Sequence, residues 1–208
     1  MNKVKIILAA LFSFVIASAA LAESRIGVSA QYHMFSTDGS ETLRDSGNIT
    51  NKSHDDEVIV PSIFVEYMGD SGLGVGIDYV PVAELGEGTG DDDDAETSGA
   101  NKASAELASH VTLYTILEGD SGYYGKLGVA FADVDTTENL ATGDSYGNAS
   151  TEGLMIGLGY STDYAGYFVR GEVTHTAYDS VSITSAGGSK VEADIDSTAL
   201  TLSIGKAF

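Results

Sequence analysis

The sequence has no cysteine, no tryptophan and few basic residues. Its 208 residues include 31 Asp and Glu but only 10 Lys and Arg, which gives a formal net charge of -21. Without cysteine, the chain has no disulfide framework, no thiolate metal site and no cysteine nucleophile. A chain this acidic is not expected to bind nucleic acid, because neutralising phosphates requires clustered Lys and Arg.

The first 22 residues have the three parts of a secretory signal peptide. Lys3 and Lys5 begin it, residues 6–17 are apolar, and Ala20-Leu21-Ala22 fits the small-x-small rule for a cleavage site. We therefore predict a cleaved signal at 1–22 and a mature domain at 23–208. The alternative is a membrane anchor, for which the uncharged stretch 6–22 is marginally long.

Beyond residue 23, apolar residues recur at every second position, which predicts β-strands. The opposite face of each strand is small and polar, with scattered charge. In the fourth stretch, the pattern assigns Leu107 to the apolar face and Glu106 and His110 to the polar face. The eight predicted strands are 26–34, 59–68, 73–79, 106–117, 123–132, 153–160, 167–174 and 199–208.

Short and long connections alternate between these strands. The tetrapeptide Gly-Asp-Ser-Gly occurs at 69–72 and at 119–122, and residues 161–166 form a third short turn. Such alternation is typical of a transmembrane barrel, which has short periplasmic turns and long external loops. The long connections are polar and are predicted to be solvated loops at 36–57, 83–102, 135–150 and 179–192.

The interior of an eight-stranded barrel has room only for side chains, which suits the small polar face. The apolar face then meets lipid. The predicted fold is all-β: an eight-stranded antiparallel transmembrane up-and-down β-barrel. A soluble secreted barrel, with the two faces inverted, is the alternative. An aromatic girdle at the periplasmic interface is predicted from Tyr67, Tyr123, Tyr160, Tyr167 and Phe208.

The signal peptide, the eight alternating stretches and the last strand, 199–208, together resemble the small eight-stranded outer-membrane barrels of Gram-negative bacteria. These include the outer-membrane protein A barrel, the opacity proteins and the outer-membrane protein W group. The resemblance implies a place in the outer membrane, among lipid and lipopolysaccharide. It also implies that Phe208 is a signal for the barrel-assembly machinery. Lys206 departs from that pattern, because it lies on the otherwise apolar face.

Five charged residues are predicted to point into the barrel near the short turns: Glu66, Asp78, Lys126, Arg170 and Glu172. Charges in so narrow an interior must be paired or hydrated. The pattern favours an interior salt-bridge network that plugs the barrel, with Arg170 as its fork. The alternative is a gated path for cations.

Two other groups suggest chemistry. The run Asp91-Asp92-Asp93-Asp94 could bind Ca²⁺ or Mg²⁺ loosely, but it matches no defined metal motif, so no metal site is expected. His175, with Asp179 and Ser180, lies where a rim enzyme would act. Ser109 and His110 are sequential, so their side chains should face opposite sides.

No catalytic motif or cofactor signature is present, so we expect a non-enzymatic outer-membrane barrel without a cofactor. Its role would be structural or in surface interaction, with long acidic loops that contact external ligands. A narrow channel or carrier for small or apolar solutes is the first alternative. A lipid-modifying enzyme at the rim is the second.

Overall fold

The computed structural model describes residues 23–44, 46–92, 99–141, 143 and 145–208. The predicted signal peptide, 1–22, lies outside the described residues. Within those ranges, no helix has the length and the apolar composition needed to cross a membrane.

The described residues form one antiparallel sheet that closes on itself, because the first strand pairs with the last. The strands are β1 (Glu23–Thr42), β2 (Ile49–Met68), β3 (Leu73–Val80), β4 (Ala83–Asp92), β5 (Gly99–Glu118), β6 (Tyr123–Asn139), β7 (Ala149–Tyr164), β8 (Tyr167–Tyr178), β9 (Val181–Thr184) and β10 (Lys190–Ala207).

The ten strands occupy eight positions around the ring. β3 and β4 follow one another along β5, and β8 and β9 follow one another along β10. Apart from the closing pair of β1 and β10, all other neighbours in the ring are consecutive strands. The predicted eight-stranded antiparallel barrel is therefore confirmed.

The outer wall carries an apolar belt, as the alternation predicts. Ile63, Leu127, Leu158 and Leu202 are all exposed there, and the aromatic residues of the predicted girdle are exposed with them. Tyr123 and Tyr160 pack with their ring centroids 5.1 Å apart. A surface this apolar requires lipid around it.

In the fourth predicted stretch, two residues lie on the faces opposite to those predicted. The pairing of β5 with β6 shifts between Leu107 and Ser109, where a β-bulge adds one residue. The extra residue reverses the alternation before it. Leu107 is therefore buried inside the barrel at 8% exposure, whereas Glu106 is exposed. The predictions for Leu107 and Glu106 were wrong for this reason.

Two of the four long polar segments, 36–57 and 83–102, are mostly strand in the described residues, so their prediction as loops was wrong. The other two, 135–150 and 179–192, are strand over no more than half of their length. β1 and β2 remain paired as far as Thr42 and Ile49, which leaves only residues 43–48 as the connection. Strands of 20 residues are about twice the 9–11 that a tilted strand needs to cross a bilayer. The barrel wall therefore extends well beyond the membrane on the side of the long connections, which we call the outer end.

Candidate functional site

The lumen near the short turns is filled by large side chains as well as by small ones. Phe64, Tyr114, Tyr124 and Phe168 are all buried inside the barrel. Glycines on neighbouring strands make room for their rings: a Cβ on Gly159 would overlap the Tyr124 ring. The prediction of a small, polar interior was therefore only partly right. Large aromatic side chains also lie inside, next to glycines that leave room for them.

Arg170 and Glu66 form a buried ion pair at the centre of this region. Arg170 Nη1 lies 2.7 Å from Glu66 Oε1 and 2.8 Å from Oε2, and the two residues are 2% and 0% exposed. Tyr114 donates a hydrogen bond of 2.8 Å to Glu66 Oε1. The Arg170 guanidinium also lies 4.5 Å from the centroid of the Phe168 ring. Each charge therefore has a counter-charge and polar or aromatic neighbours.

Two further residues, neither of them predicted from the sequence, extend this pair toward the short-turn end. Glu118 Oε2 accepts from Arg25 Nη1 at 2.7 Å and from Arg170 Nη2 at 3.4 Å. Arg25 also donates to Glu23 at 2.6 Å. Both could have been predicted from the alternation of inward and outward residues. Arg25 precedes the predicted strand 26–34 by one residue, Glu118 follows the predicted strand 106–117 by one residue, and both fall at inward positions.

Lys126 and Glu172 form the second ion pair, with Lys126 Nζ 2.8 Å from Glu172 Oε2. Lys126 Nζ also lies 4.4 Å from the Tyr114 ring centroid and 5.6 Å from that of Tyr124. We call Arg25, Glu66, Glu118, Lys126, Arg170 and Glu172 the charged plug.

Asp78, the fifth predicted interior charge, has uncharged partners instead. Gln31 Nε2 donates to Asp78 Oδ1 at 2.9 Å, and the Ser62 hydroxyl donates to Oδ2 at 2.8 Å. His33 Nε2 donates to Gln31 Oε1 at 2.9 Å, and the Ser197 hydroxyl donates to His33 Nδ1 at 2.9 Å. A continuous polar layer therefore lies between the charged plug and the outer half of the lumen.

Above this layer, the lumen widens into a cavity of about 450 Å³, which we call the outer cavity. Val60, Val80, Leu107 and Ala132 form a buried apolar cluster at its wall. Val134 packs against that cluster from β6. The remaining apolar lining is Phe35, Val58, Ala105, Tyr178 and Ile195.

The lining also includes polar residues, namely His33, Thr37, His54, Asp56, Ser104, His110, Thr136, Glu138 and Thr151. His110 Nε2 lies 3.0 Å from the Tyr178 hydroxyl, and the His110 ring meets the His33 ring edge-on at 6.4 Å. Asp56, on β2, and Glu138, on β6, line the cavity farther out. This arrangement can hold an apolar body, with polar groups at the wall and the mouth.

The other predicted site residues are not brought together. His175 faces outward, with Nδ1 3.1 Å from Thr198 Oγ1 and Nε2 3.9 Å from Asp196 Oδ1. Ser180 donates to Asp194 instead of to His175. Of the aspartate run at 91–94, Asp91 and Asp92 are the last two residues of β4. Asp93 and Asp94 lie outside the described residues.

Ser109 and His110 point to opposite sides of the wall. Ser109 is on the outside, where its hydroxyl donates to Asp133 at 2.9 Å. Hydrogen bonds from Ser150 and Ser109 lower the pKa of the exposed Asp133 carboxyl. In the part of the chain that the structure describes, no group of three or more His, Asp or Glu residues could hold a metal ion.

Comparison with solved structures matches the barrel almost end to end. The outer membrane protein AlkL, determined by solid-state NMR in DMPC lipid bilayers, aligns with a TM-score of 0.53 and 11% identity over 90% of each chain. The fold is that of a small outer-membrane β-barrel. OprG of Pseudomonas aeruginosa aligns with a TM-score of 0.47 and 15% identity, over 88% of this chain and 96% of that one. Ail of Yersinia pestis gives 0.44 and 13%, over 90% and 99%.

No protein-family model and no curated protein matches the chain. The resemblance to small outer-membrane barrels that the sequence predicts is confirmed in the fold. With the exposed apolar belt, that fold places the chain in a bacterial outer membrane. The particular role must come from the plug and the cavity of this chain.

Proposed function

We propose that this outer-membrane barrel binds a small apolar molecule in its outer cavity and acts as a receptor or carrier, not as an open pore. The observation that carries the proposal is the apolar cavity of about 450 Å³ above the charged plug. Ligand sites are typically apolar concavities of roughly 300–1,000 Å³ with a few polar groups. An empty apolar cavity of this size would leave its lining without packing partners.

The charged plug supports a carrier over a channel. The Arg170–Glu66 pair is buried, and the rings of Phe64, Phe168 and Tyr124 surround the guanidinium within 6 Å of its carbon. Ions entering this region would have to break well-partnered charges in a barrel that is already filled by side chains.

The proposal is also non-enzymatic. His175 contacts a threonine and an aspartate and has no hydrogen bond to Ser180. Nucleophilic catalysis needs a hydroxyl within reach of its base. We further propose that lipid and lipopolysaccharide surround the belt and that the barrel-assembly machinery inserts the protein.

The test is saturable binding of a neutral fluorescent probe, N-phenyl-1-naphthylamine, to the barrel in phosphatidylcholine vesicles. We expect binding above that of protein-free vesicles. Val134→Trp, which fills the outer cavity, should abolish it. The matched control Val173→Trp lies on the exposed belt and should retain it. Heat-dependent gel mobility would verify that both variants fold. Absence of saturable binding, or equal binding by both variants, would contradict the proposal.

A surface-interaction role is the second candidate. The extension of the barrel beyond the membrane at its outer end favours this role. The segments 36–57, 83–106, 133–152 and 179–196 hold 23 of the 31 acidic residues and four of the 10 basic ones. Such a surface attracts cationic partners at low ionic strength. Vesicles that carry the barrel should adhere to a polylysine-coated surface more than protein-free vesicles do, and equal adhesion would contradict this role.

A further inference from the structure

The mouth of the outer cavity is acidic on its inner wall. Asp56 and Glu138 both line the cavity, from β2 and β6. Asp56 Oδ1 lies 3.2 Å from Nε2 of His54, which also lines the cavity. Among the described residues that line the cavity, none is lysine or arginine. A charged group arriving at the mouth therefore meets carboxylates.

The surrounding wall strengthens this potential. Among the residues that the structure describes, the outer segments named above carry 14 more acidic than basic residues. Like charges concentrated around an opening accumulate cations and repel anions. The effect weakens as salt shortens the screening length, which is about 10 Å at 0.1 M ionic strength.

Deeper in the cavity the lining changes to apolar. Val60 and Val80 are each 1% exposed, and Leu107 and Ala132 lie beside them. A charged group placed among these side chains would lose its hydration without gaining a counter-charge. A molecule with one charged end must therefore keep that end at the mouth and place its apolar end inside.

We propose that the occupant of the outer cavity is an amphiphile with a positively charged head, of the alkylammonium class. Its tail packs against the apolar cluster, and its head lies beside Asp56 and Glu138. The inference rests on the proposed function: the cavity defines the site, and the carboxylates select the charge of the head. Fatty-acid anions with the same tail bind least tightly, and neutral alcohols bind with intermediate affinity.

The experiment compares three competitors that share an eight-carbon tail: octylammonium, octanol and octanoate. Each displaces N-phenyl-1-naphthylamine from the barrel in phosphatidylcholine vesicles near neutral pH, where the amine is charged and the acid is ionised. Free ligand is measured after the vesicles are sedimented, so that partitioning into lipid is subtracted. We expect octylammonium to displace the probe at about fivefold lower free concentration than octanol, as two exposed ion pairs would give. Octanoate should need the highest concentration, and added salt should bring the three together.

Two double variants distinguish the effect of the carboxylates at the mouth from the effect of the other acidic residues of the wall. Asp56→Asn/Glu138→Gln should remove the preference for octylammonium. Asp55→Asn/Asp135→Asn makes the same change in charge on the same strands, but at exposed positions outside the cavity lining, and should keep it. Equal loss in both variants would overturn the inference. Equal displacement by the three competitors would also overturn it but leave the proposed function standing. If the probe itself does not bind, both fail.

Discussion

Removing the Arg170 guanidinium leaves the buried Glu66 carboxylate without its counter-charge. We expect Arg170→Met to lower the free energy of unfolding by about 3–5 kcal/mol, because an unpaired buried charge is costly. Reversible urea unfolding in lipid vesicles would measure this. The exposed pair of Lys190 and Glu192, 2.7 Å apart, offers the matched control: Lys190→Met should cost about 0.5 kcal/mol or less.

The double variant Arg170→Met/Glu66→Gln checks the cause. It removes both charges, so it should recover much of the stability that Arg170→Met loses. If the double variant is less stable than the single one, the pair does not act through charge compensation.

Gly159 is needed because the Tyr124 ring occupies the space that a side chain would fill. Gly159→Ala should destabilise the barrel by about 1–3 kcal/mol, as overpacking does. Gly171, on the adjacent β8, has its nearest potential contact 4.0 Å away, at Leu202. Gly171→Ala should therefore be neutral or slightly stabilising. The unfolding midpoints of the two variants give the comparison, and equal effects would contradict it.

At the residue scale, the inner and outer faces were predictable because the outward positions are apolar along most strands, whereas nearly all the charged residues of these stretches lie at inward positions. Glu66, Lys126, Arg170 and Glu172 could be assigned to the interior in this way. Their pairing could not be, because which strands face each other across the lumen depends on the tilt and stagger of the closed barrel. Leu107 was misplaced because a bulge leaves no hydrophobic signature of its own.

At the element scale, the β7–β8 hairpin contains a backbone strain that can be relieved. Ala165 has a φ of 53° and Gly166 a φ of 83°, so both central residues of this two-residue turn are left-handed. A left-handed alanine costs about 1–2 kcal/mol, which asparagine reduces. Ala165→Asn should therefore stabilise the barrel by about 0.5–1 kcal/mol in urea unfolding.

Ala141 is the control for that substitution, because its φ lies outside the left-handed region. Ala141→Asn should give no comparable gain. A stabilisation shared by both variants would mean that asparagine acts through solvation and not through the turn.

The membrane-embedded parts of the strands were predictable, but their extensions were not. In the belt, one face meets lipid and the other the lumen, so the sequence alternates. Above the membrane, both faces meet water at many positions, and the apolar period disappears. The backbone ladder does not depend on that period, since each strand still has a hydrogen-bonding neighbour. Segments such as 36–42 and 49–57 therefore remain strand.

At the scale of the whole molecule, the charged plug predicts a closed lumen. The reconstituted barrel should show no discrete conductance steps in a planar bilayer, because the narrow interior is filled by paired charges and aromatic rings. Glu66→Ala/Arg170→Ala, which removes the central pair, should produce openings. The exposed double variant Lys190→Ala/Glu192→Ala should not. Steady conductance through the unaltered barrel would contradict a plugged lumen.

An apolar molecule in the outer cavity would shield the cavity wall from reagents in water, and the rate of thiol labelling measures that shielding. Because the sequence has no cysteine, Val134→Cys places a single thiol in the cavity wall. A water-soluble maleimide is added to the reconstituted protein with and without saturating N-phenyl-1-naphthylamine. Ser53→Cys, on the exposed outer wall, controls for effects on the reagent. We expect the probe to slow labelling at position 134 and to leave the labelling rate at position 53 unchanged. An unchanged rate at position 134 would contradict the proposed function.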